Sequence, residues 1–496
     1  MMSENTEPLI GVQQVRRDRG GASGIILLTL LLSIVGFVIA RYQGQEGSEW
    51  DLTLRSMFYA SVCALPLLWF ILRQPRSMVE RILIGLWWPL KMVFMLYYYF
   101  SVWEVSHHPQ LYLNYSDNRA WHEAATSVVG FWAMNGVGFI PKDTLVRLSI
   151  NYPAASYFFG GAFYSFGRYL GPALPWLSLV MLLTATFSQR LMEQCGLPRA
   201  EAKVAFHLML WSPVFWLYTL HVQRDPLIFF TWLAIAYSTV RLFRRFSILN
   251  LVALGVATLV LANLRAEYLY VELAWLVFVA ANSLRKRQDK SMGTRVALLF
   301  IATTCAVLIG WGIWGGGSAW YVTKYDLGGG VEKQVDSFLQ TARTGSGFYG
   351  RILSLGGVFL LPIILPFKLL MGLTAPFPWR FTTFELSVTQ PFYSLESILR
   401  LSLFFFAFRV ALRWRSFSKA WSIETKLVLM LGALVGTAGL LGPVSEVRYL
   451  APAIPLLIPM FAPYAKRKSY WFGGILFAVV TISSLQMLYF LFRQFL

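Results

Sequence analysis

The sequence predicts an all-α, polytopic integral membrane protein. Three observations carry that expectation. Hydrophobic residues make up 57% of the 496 positions and charged residues only 14%, whereas a soluble globular domain carries roughly 25% charged residues. The deficit extends along the whole chain and does not mark a single anchor. Apolar runs long enough to cross a hydrocarbon core of about 30 Å recur from end to end, with Lys and Arg in short clusters between them.

In chain order, about 13 such runs read as transmembrane helices. A basic tail, 1–23, carries Arg16, Arg17 and Arg19 and precedes the run 24–40; because many spans follow, this is an uncleaved first helix with its tail in the cytoplasm. The run 54–72 ends at Arg73, Arg76 and Arg81. The next, 82–103, holds Lys91 near its middle, a residue that would either snorkel or line a cavity. The runs 172–191, 204–220 and 226–240 lead to Arg241, Arg244 and Arg245. The runs 248–264 and 268–281 flank a turn with Arg265 and Glu267 and are closed by Arg285, Lys286, Arg287 and Lys290. After 296–314 come 398–412, closed by Arg413, Arg415 and Lys419, then 427–441 and 451–465, closed by Lys466, Arg467 and Lys468, and finally 471–492.

Two further apolar segments, 152–170 and 352–371, break the parity of this topology. Counting each as one crossing would invert the basic clusters downstream, so both are expected as amphipathic or re-entrant helices on the outer face; a pair of crossings is the alternative that also preserves parity. Pro362 and Pro366 interrupt the second, which also holds Lys368. The expected organisation is one transmembrane domain, 24–496, with outer loops near 104–151, 315–351 and 374–397. A bacterial inner membrane is the simplest location.

The net charge of +19 belongs to the clusters between spans, where basic residues stay on the cytosolic side, so no nucleic-acid partner is expected. Cys63, Cys195 and Cys305 form neither a disulfide framework nor a C-x-x-C metal site. Gly310-Trp-Gly312-Ile-Trp-Gly315 matches a dinucleotide fingerprint in letters only, since no strand precedes it. The G-x-x-x-G patterns at Gly167–Gly171 and Gly432–Gly436 point to close helix packing.

The candidate chemistry gathers on the outer side. Asp117, in Asn114-Tyr-Ser-Asp-Asn-Arg-Ala-Trp-His-Glu-Ala-Ala125, follows the third run. It can act as a general base toward an acceptor hydroxyl, or cap the amphipathic helix that continues through Trp121. Asp225, with Arg224 before it and Pro226 after it, is a second candidate acid; its alternative role is to start a helix. Arg265 and Glu267 can bind substrate or pair to stabilise their turn. Arg448 and Tyr449 can grip a phosphate or anchor the interface. His122 and Glu123 share the loop of Asp117 and are candidates to bind substrate; His107 and His108 lie in the same loop. Their spacing matches no recognised divalent-metal site, and no cofactor motif is present.

These residues resemble the GT-C membrane glycosyltransferases, in particular bacterial relatives of protein mannosyltransferases and of the aminoarabinose transferase. The resemblance rests on Asp117-Asn-Arg-Ala-Trp121-His-Glu-Ala-Ala125, on Tyr152-Pro153 leading to Phe166-Gly167, on Arg224-Asp225 and on Arg448-Tyr449. Two spans precede the stretch that corresponds to the family's first helix, and no soluble domain follows the last span. The resemblance implies a polyprenyl-phosphate sugar donor, an acceptor that is a polysaccharide, glycolipid or protein, and inverting transfer with Asp117 as base and Asp225 as second acid. Two other readings remain open: a polymerase or ligase acting on diphosphate-linked glycans, which has no need of Asp117, and a lipid or glycan transporter, which predicts inverted halves and charges at mid-membrane.

Overall fold

A computed structural model describes residues 21–44, 46–101, 116–148, 150, 152–244, 247–265, 268–285, 369, 373, 384–441 and 450–495. The described residues are overwhelmingly helical, and no strand occurs among them. Among the described residues, five helices are long and apolar enough to cross a membrane: Gly24–Tyr42, Glu49–Arg73, Gly171–Gln194, Asp225–Arg244 and Lys468–Leu485; Ile248–Leu264 is apolar but shorter. The run 296–314, the loop 315–351 and the segment 352–371, apart from the single position 369, lie outside the described residues. The chain divides into two compact units, one made of Met1–Pro109 with Gly161–Leu179 and the other of Gln110–Gly160 with Val180–Leu496.

The first unit contains α1 (Gly21–Tyr42), α2 (Glu49–Arg73) and α3 (Met78–Leu96), the last running into a π-helical turn at Tyr97–Ser101. Serines set two of the starts. Ser48 Oγ accepts from the Asp51 amide while Asp51 accepts from the Ser48 amide, and Ser77 and Glu80 repeat the arrangement at α3. Each such box satisfies two amide groups that a helix start leaves without partners, and a cap of this kind contributes about 1 kcal/mol. Ser56 Oγ donates to the Pro172 carbonyl (2.6 Å) and accepts from Trp176 Nε1 (2.9 Å), and Trp176 stacks on Phe37 with centroids 4.2 Å apart. Lys91 is fully buried, so it does not snorkel. Gly167 and Gly171 do not form a helix-packing motif. Gly167 is a turn residue at φ +104°, and Gly171 opens a 3-10 turn pressed against Thr53. Ile34, Phe58 and Leu65 stay exposed on this unit, an apolar surface suited to lipid.

In the second unit the outer stretch near 104–151 is partly helical: α4 (Ser116–Asn135) and the short α5 (Lys142–Arg147) lie in it. The helix α6 (Pro153–Phe166) has 14 residues, about 21 Å of rise and so less than a hydrocarbon core of about 30 Å. From Gly161 on, α6 belongs to the first unit, as do the Gly171–Ala173 turn and the start of α7 (Leu174–Gln194), which returns to the second unit at Val180.

The run 204–220 is not one span. It splits into α8 (Arg199–Trp211) and α9 (Pro213–Tyr218), with Ser212 in an extended conformation between them. Proline has no N–H to donate and disfavours a helical residue before it. The buried Glu396 carboxylate takes up the groups at the break, accepting from Ser212 Oγ (2.8 Å) and the Val214 amide (3.1 Å). Beyond this lie α10 (Asp225–Arg244), α11 (Ile248–Leu264) and α12 (Tyr268–Arg285).

Within the stretch 374–397, expected as an outer loop, α13 (Phe384–Leu412) begins. It leads through the short α14 (Trp414–Ala420) to α15 (Ile423–Leu441). The run 451–465 is again not a single span: prolines divide it into a 3-10 turn at Ala451–Leu456 and the eight-residue α16 (Ile458–Ala465). The last helix is α17 (Lys468–Phe495). Here the second glycine pattern does what its spacing predicts. Gly432 of α15 admits Leu456 and Leu457 so closely that a Cβ would meet them at 2.9–3.0 Å, and Gly436 faces Ala453. Trp275 Nε1 ties α12 to the Leu427 carbonyl of α15 (2.9 Å).

Candidate functional site

Four helix ends of the second unit meet around Arg224. The first is the start of α4. That helix begins at Ser116, which puts Asp117 inside the first turn rather than ahead of it, at the end where the helix dipole favours a negative charge. The Asp117 side chain itself lies outside the described residues. One turn further on, Trp121 is buried against Tyr152 (centroids 5.5 Å apart) and Phe159 (6.0 Å). Gly160 makes this approach possible, because a Cβ there would fall 2.7 Å from Val128 of α4.

The Arg224 guanidinium lies over the Tyr152 ring at 3.7 Å from its centroid and 5.7 Å from that of Trp121. Its Nη1 donates to the Leu264 carbonyl at 2.9 Å. That carbonyl belongs to the last turn of α11, where helical carbonyls have no partner of their own and the dipole favours a cation. A guanidinium has five N–H donors. Among the described residues no carboxylate lies within ion-pair distance of Arg224, so the donors not taken by Leu264 remain available to an anion.

Asp225 is the first residue of α10 and is only 5% exposed. The Arg224 carbonyl accepts from the Leu227 and Ile228 amides, so the backbone of Arg224 closes the first turn and fixes where both side chains leave the chain. Arg265 follows α11 and is buried; its Nη1 reaches the Tyr268 hydroxyl (3.4 Å), and the Tyr268 ring packs against Trp232.

The structure thus brings Trp121, Tyr152 and Arg224 together, with the Leu264 carbonyl hydrogen-bonded to Arg224 and Asp225 next to it in the chain. It sets Glu123 elsewhere: Glu123 pairs with Arg119 (2.8 Å) on the exposed side of α4, turned away from Trp121 by its two-residue offset. His122, next to it, is half-buried. Glu267, Arg448, Tyr449, His107 and His108 lie outside the described residues.

Two polar groups at this end were not singled out from sequence. Gln223 is 6% exposed and its Oε1 has no hydrogen-bond partner among the described residues; the same holds for Trp232 Nε1. The signal for Gln223 was present in the polar run His221-Val-Gln-Arg-Asp225, where a buried amide beside a buried acid is unusual. Among the described residues no group of three or more His, Cys, Asp or Glu side chains is placed to hold a metal ion. The chain matches no protein-family model, no curated protein and no solved structure, so its function is argued from these residues alone.

Proposed function

We propose that the protein is a membrane glycosyltransferase of about 13 spans that moves a sugar from a polyprenyl-phosphate carrier to an acceptor glycan, lipid or protein on the outer side of a bacterial inner membrane. One observation supports the reading: Arg224 is held over Tyr152 and Trp121, and it has no carboxylate partner among the described residues; Trp121 follows Asp117 by four residues on α4. Breaking a glycosyl–phosphate bond leaves growing negative charge on the phosphate oxygen. A fixed guanidinium in a water-poor site stabilises that charge without reorganising. Attack by a hydroxyl also needs its proton removed, and a carboxylate at a helix start, Asp117, is the candidate base. Asp225 would orient the acceptor from the neighbouring helix start. Arg265 is the second candidate cation, and Glu267, Arg448 and Tyr449 complete the set expected from sequence.

The test uses membranes containing the protein, supplied in parallel with sugars linked to polyprenyl phosphate and with glycans linked to polyprenyl diphosphate. Transfer from the monophosphate carriers, weakened by Arg224→Gln, is the expected result. Transfer from diphosphate carriers alone would assign the protein to the polymerase or ligase class instead.

A second reading, transport, is favoured by Glu272. It is fully buried within α12; its Oε1 accepts from Thr258 (2.5 Å), and its Oε2 has no partner among the described residues. Ionisable groups at membrane depth often mark ion or proton paths. Glu272→Gln separates the two: a transferase keeps its sugar transfer, whereas a proton-coupled transporter loses net movement of its cargo.

A further inference from the structure

A cavity lies apart from the Arg224 corner. It has a volume of 510 Å³ and is built from helix ends: the residues after α7, the start of α8, the ends of α13 and α16, the start of α15, the first turns of α17, and α14. Helix ends grouped in this way, interleaved with Arg413, Lys466 and Arg467, are what a chain presents at the level of lipid headgroups.

Charge and shape agree on the ligand. Glu201 is the one acid among the lining residues, and it is taken by Lys466 at 2.5 Å. Arg413 and Arg467 have no carboxylate partner among the described residues. The walls beside them are aromatic: Tyr464 stands edge-on to Tyr470 at 4.9 Å, and the Arg409 guanidinium lies 5.6 Å from the first ring and 5.4 Å from the second. The Ser422 and Thr425 hydroxyls at the rim are bound to the Cys195 carbonyl, which holds the start of α15 against the end of α7. The cavity therefore keeps its shape without a ligand and offers uncompensated guanidinium groups.

The apolar surface next to it separates a lipid from a soluble anion. Leu412, one residue before Arg413, is 71% exposed, and Phe472, two residues after Tyr470, is 76% exposed. The short helix α14 carries Trp414 at one end and is followed by Trp421, with Arg415 and Lys419 between, the pattern of a segment lying in the interface plane. Acyl chains can lie along Leu412 and Phe472 while a phosphate enters between the arginines.

We propose that this cavity binds the phosphate headgroup of an anionic membrane lipid, in the leaflet that the basic clusters assign to the cytosol. The proposal does not depend on the transfer chemistry at Arg224. The test is native mass spectrometry of the full-length protein with phosphatidylglycerol or phosphatidylcholine added. Wild type retains phosphatidylglycerol in preference. In Arg413→Gln with Arg467→Gln, retention falls by roughly 30-fold, the effect of two basic residues on an anionic lipid. The charge-keeping pair Arg413→Lys with Arg467→Lys retains most of it, which separates loss of charge from misfolding, and Arg81→Gln changes nothing. Equal retention by wild type and the glutamine pair overturns the proposal. So does displacement of the lipid by millimolar inorganic phosphate, which would make the ligand a soluble anion.

Discussion

Arg224 shows how much one residue can be asked to do. A cation over an aromatic face contributes about 0.5–2 kcal/mol, enough to hold the guanidinium in place without filling its donors. Replacing it by Gln removes both the charge and the stacking, and transfer is expected to fall by about 10²–10³-fold, as for other preorganised groups that stabilise developing charge. Arg224→Lys restores only part of this, because an ammonium offers a point charge and no planar fork. Steady-state transfer against donor concentration checks both variants, and unchanged kcat/KM in Arg224→Gln would remove Arg224 from the site. In the sequence, Asp117, Arg224, Asp225 and Arg265 stood out because charges are rare there. That Arg224 would lie on Tyr152 was not legible, since the two are far apart in the chain and the pairing depends on how α4, α6 and α10 pack. Glu123 shares the stretch of Asp117 as a substrate-binding candidate, and only the helix geometry turns it to the exposed side with Arg119.

At the scale of elements, close approach and buried charge set the tolerances. Gly432→Val would push a side chain into Leu456 and Leu457, at a cost of roughly 1–3 kcal/mol from overpacking. Gly24 has open space around its Cβ position, so the same replacement there is far milder. Thermal unfolding of the purified protein checks the pair, and equal effects at both positions would contradict the packing. Glu396 is as sensitive. It is fully buried, bonds both sides of the break between α8 and α9, and lies 3.8 Å from Arg400. Glu396→Ala leaves the buried Ser212 hydroxyl and Val214 amide without this acceptor and should destabilise by about 1–3 kcal/mol; an unfolding midpoint unchanged from wild type would show that the carboxylate is not needed there. The long apolar helices were legible in the sequence; their serine caps at Ser48 and Ser77 were not singled out there. The breaks in 204–220 and 451–465 were not, because mean hydropathy over a window averages away a Ser-Pro step or a series of prolines that backbone geometry cannot ignore.

For the whole molecule, one pair at the basic side couples stability to pH. Arg244, at the end of α10, binds Glu424, at the start of α15, at 2.9 Å. Burial pushes the Glu424 carboxyl up, but its own backbone amide, the Arg244 guanidinium and the Ser422 hydroxyl together hold it below the usual glutamate range. A carboxyl whose folded pKa is lowered contributes stability above its unfolded pKa of about 4.3, and that contribution is lost as pH falls through the lower folded value. Glu424→Gln should therefore flatten the loss of stability below about pH 4.3 and leave the slope near neutrality unchanged; an identical acid profile would contradict the pairing. The helical character and the presence of helices long and apolar enough to cross a membrane were legible at this scale, because the long apolar runs and the deficit of charge both show in the composition. The central claim is that a carboxylate at the start of α4 takes the acceptor's proton beside Arg224. Sugar transfer by Asp117→Asn, at wild-type abundance in the membrane, tests it most directly. The account predicts a loss of at least about 10²-fold in kcat, the share a general base commonly contributes, with donor binding kept. Transfer at the wild-type rate would contradict it.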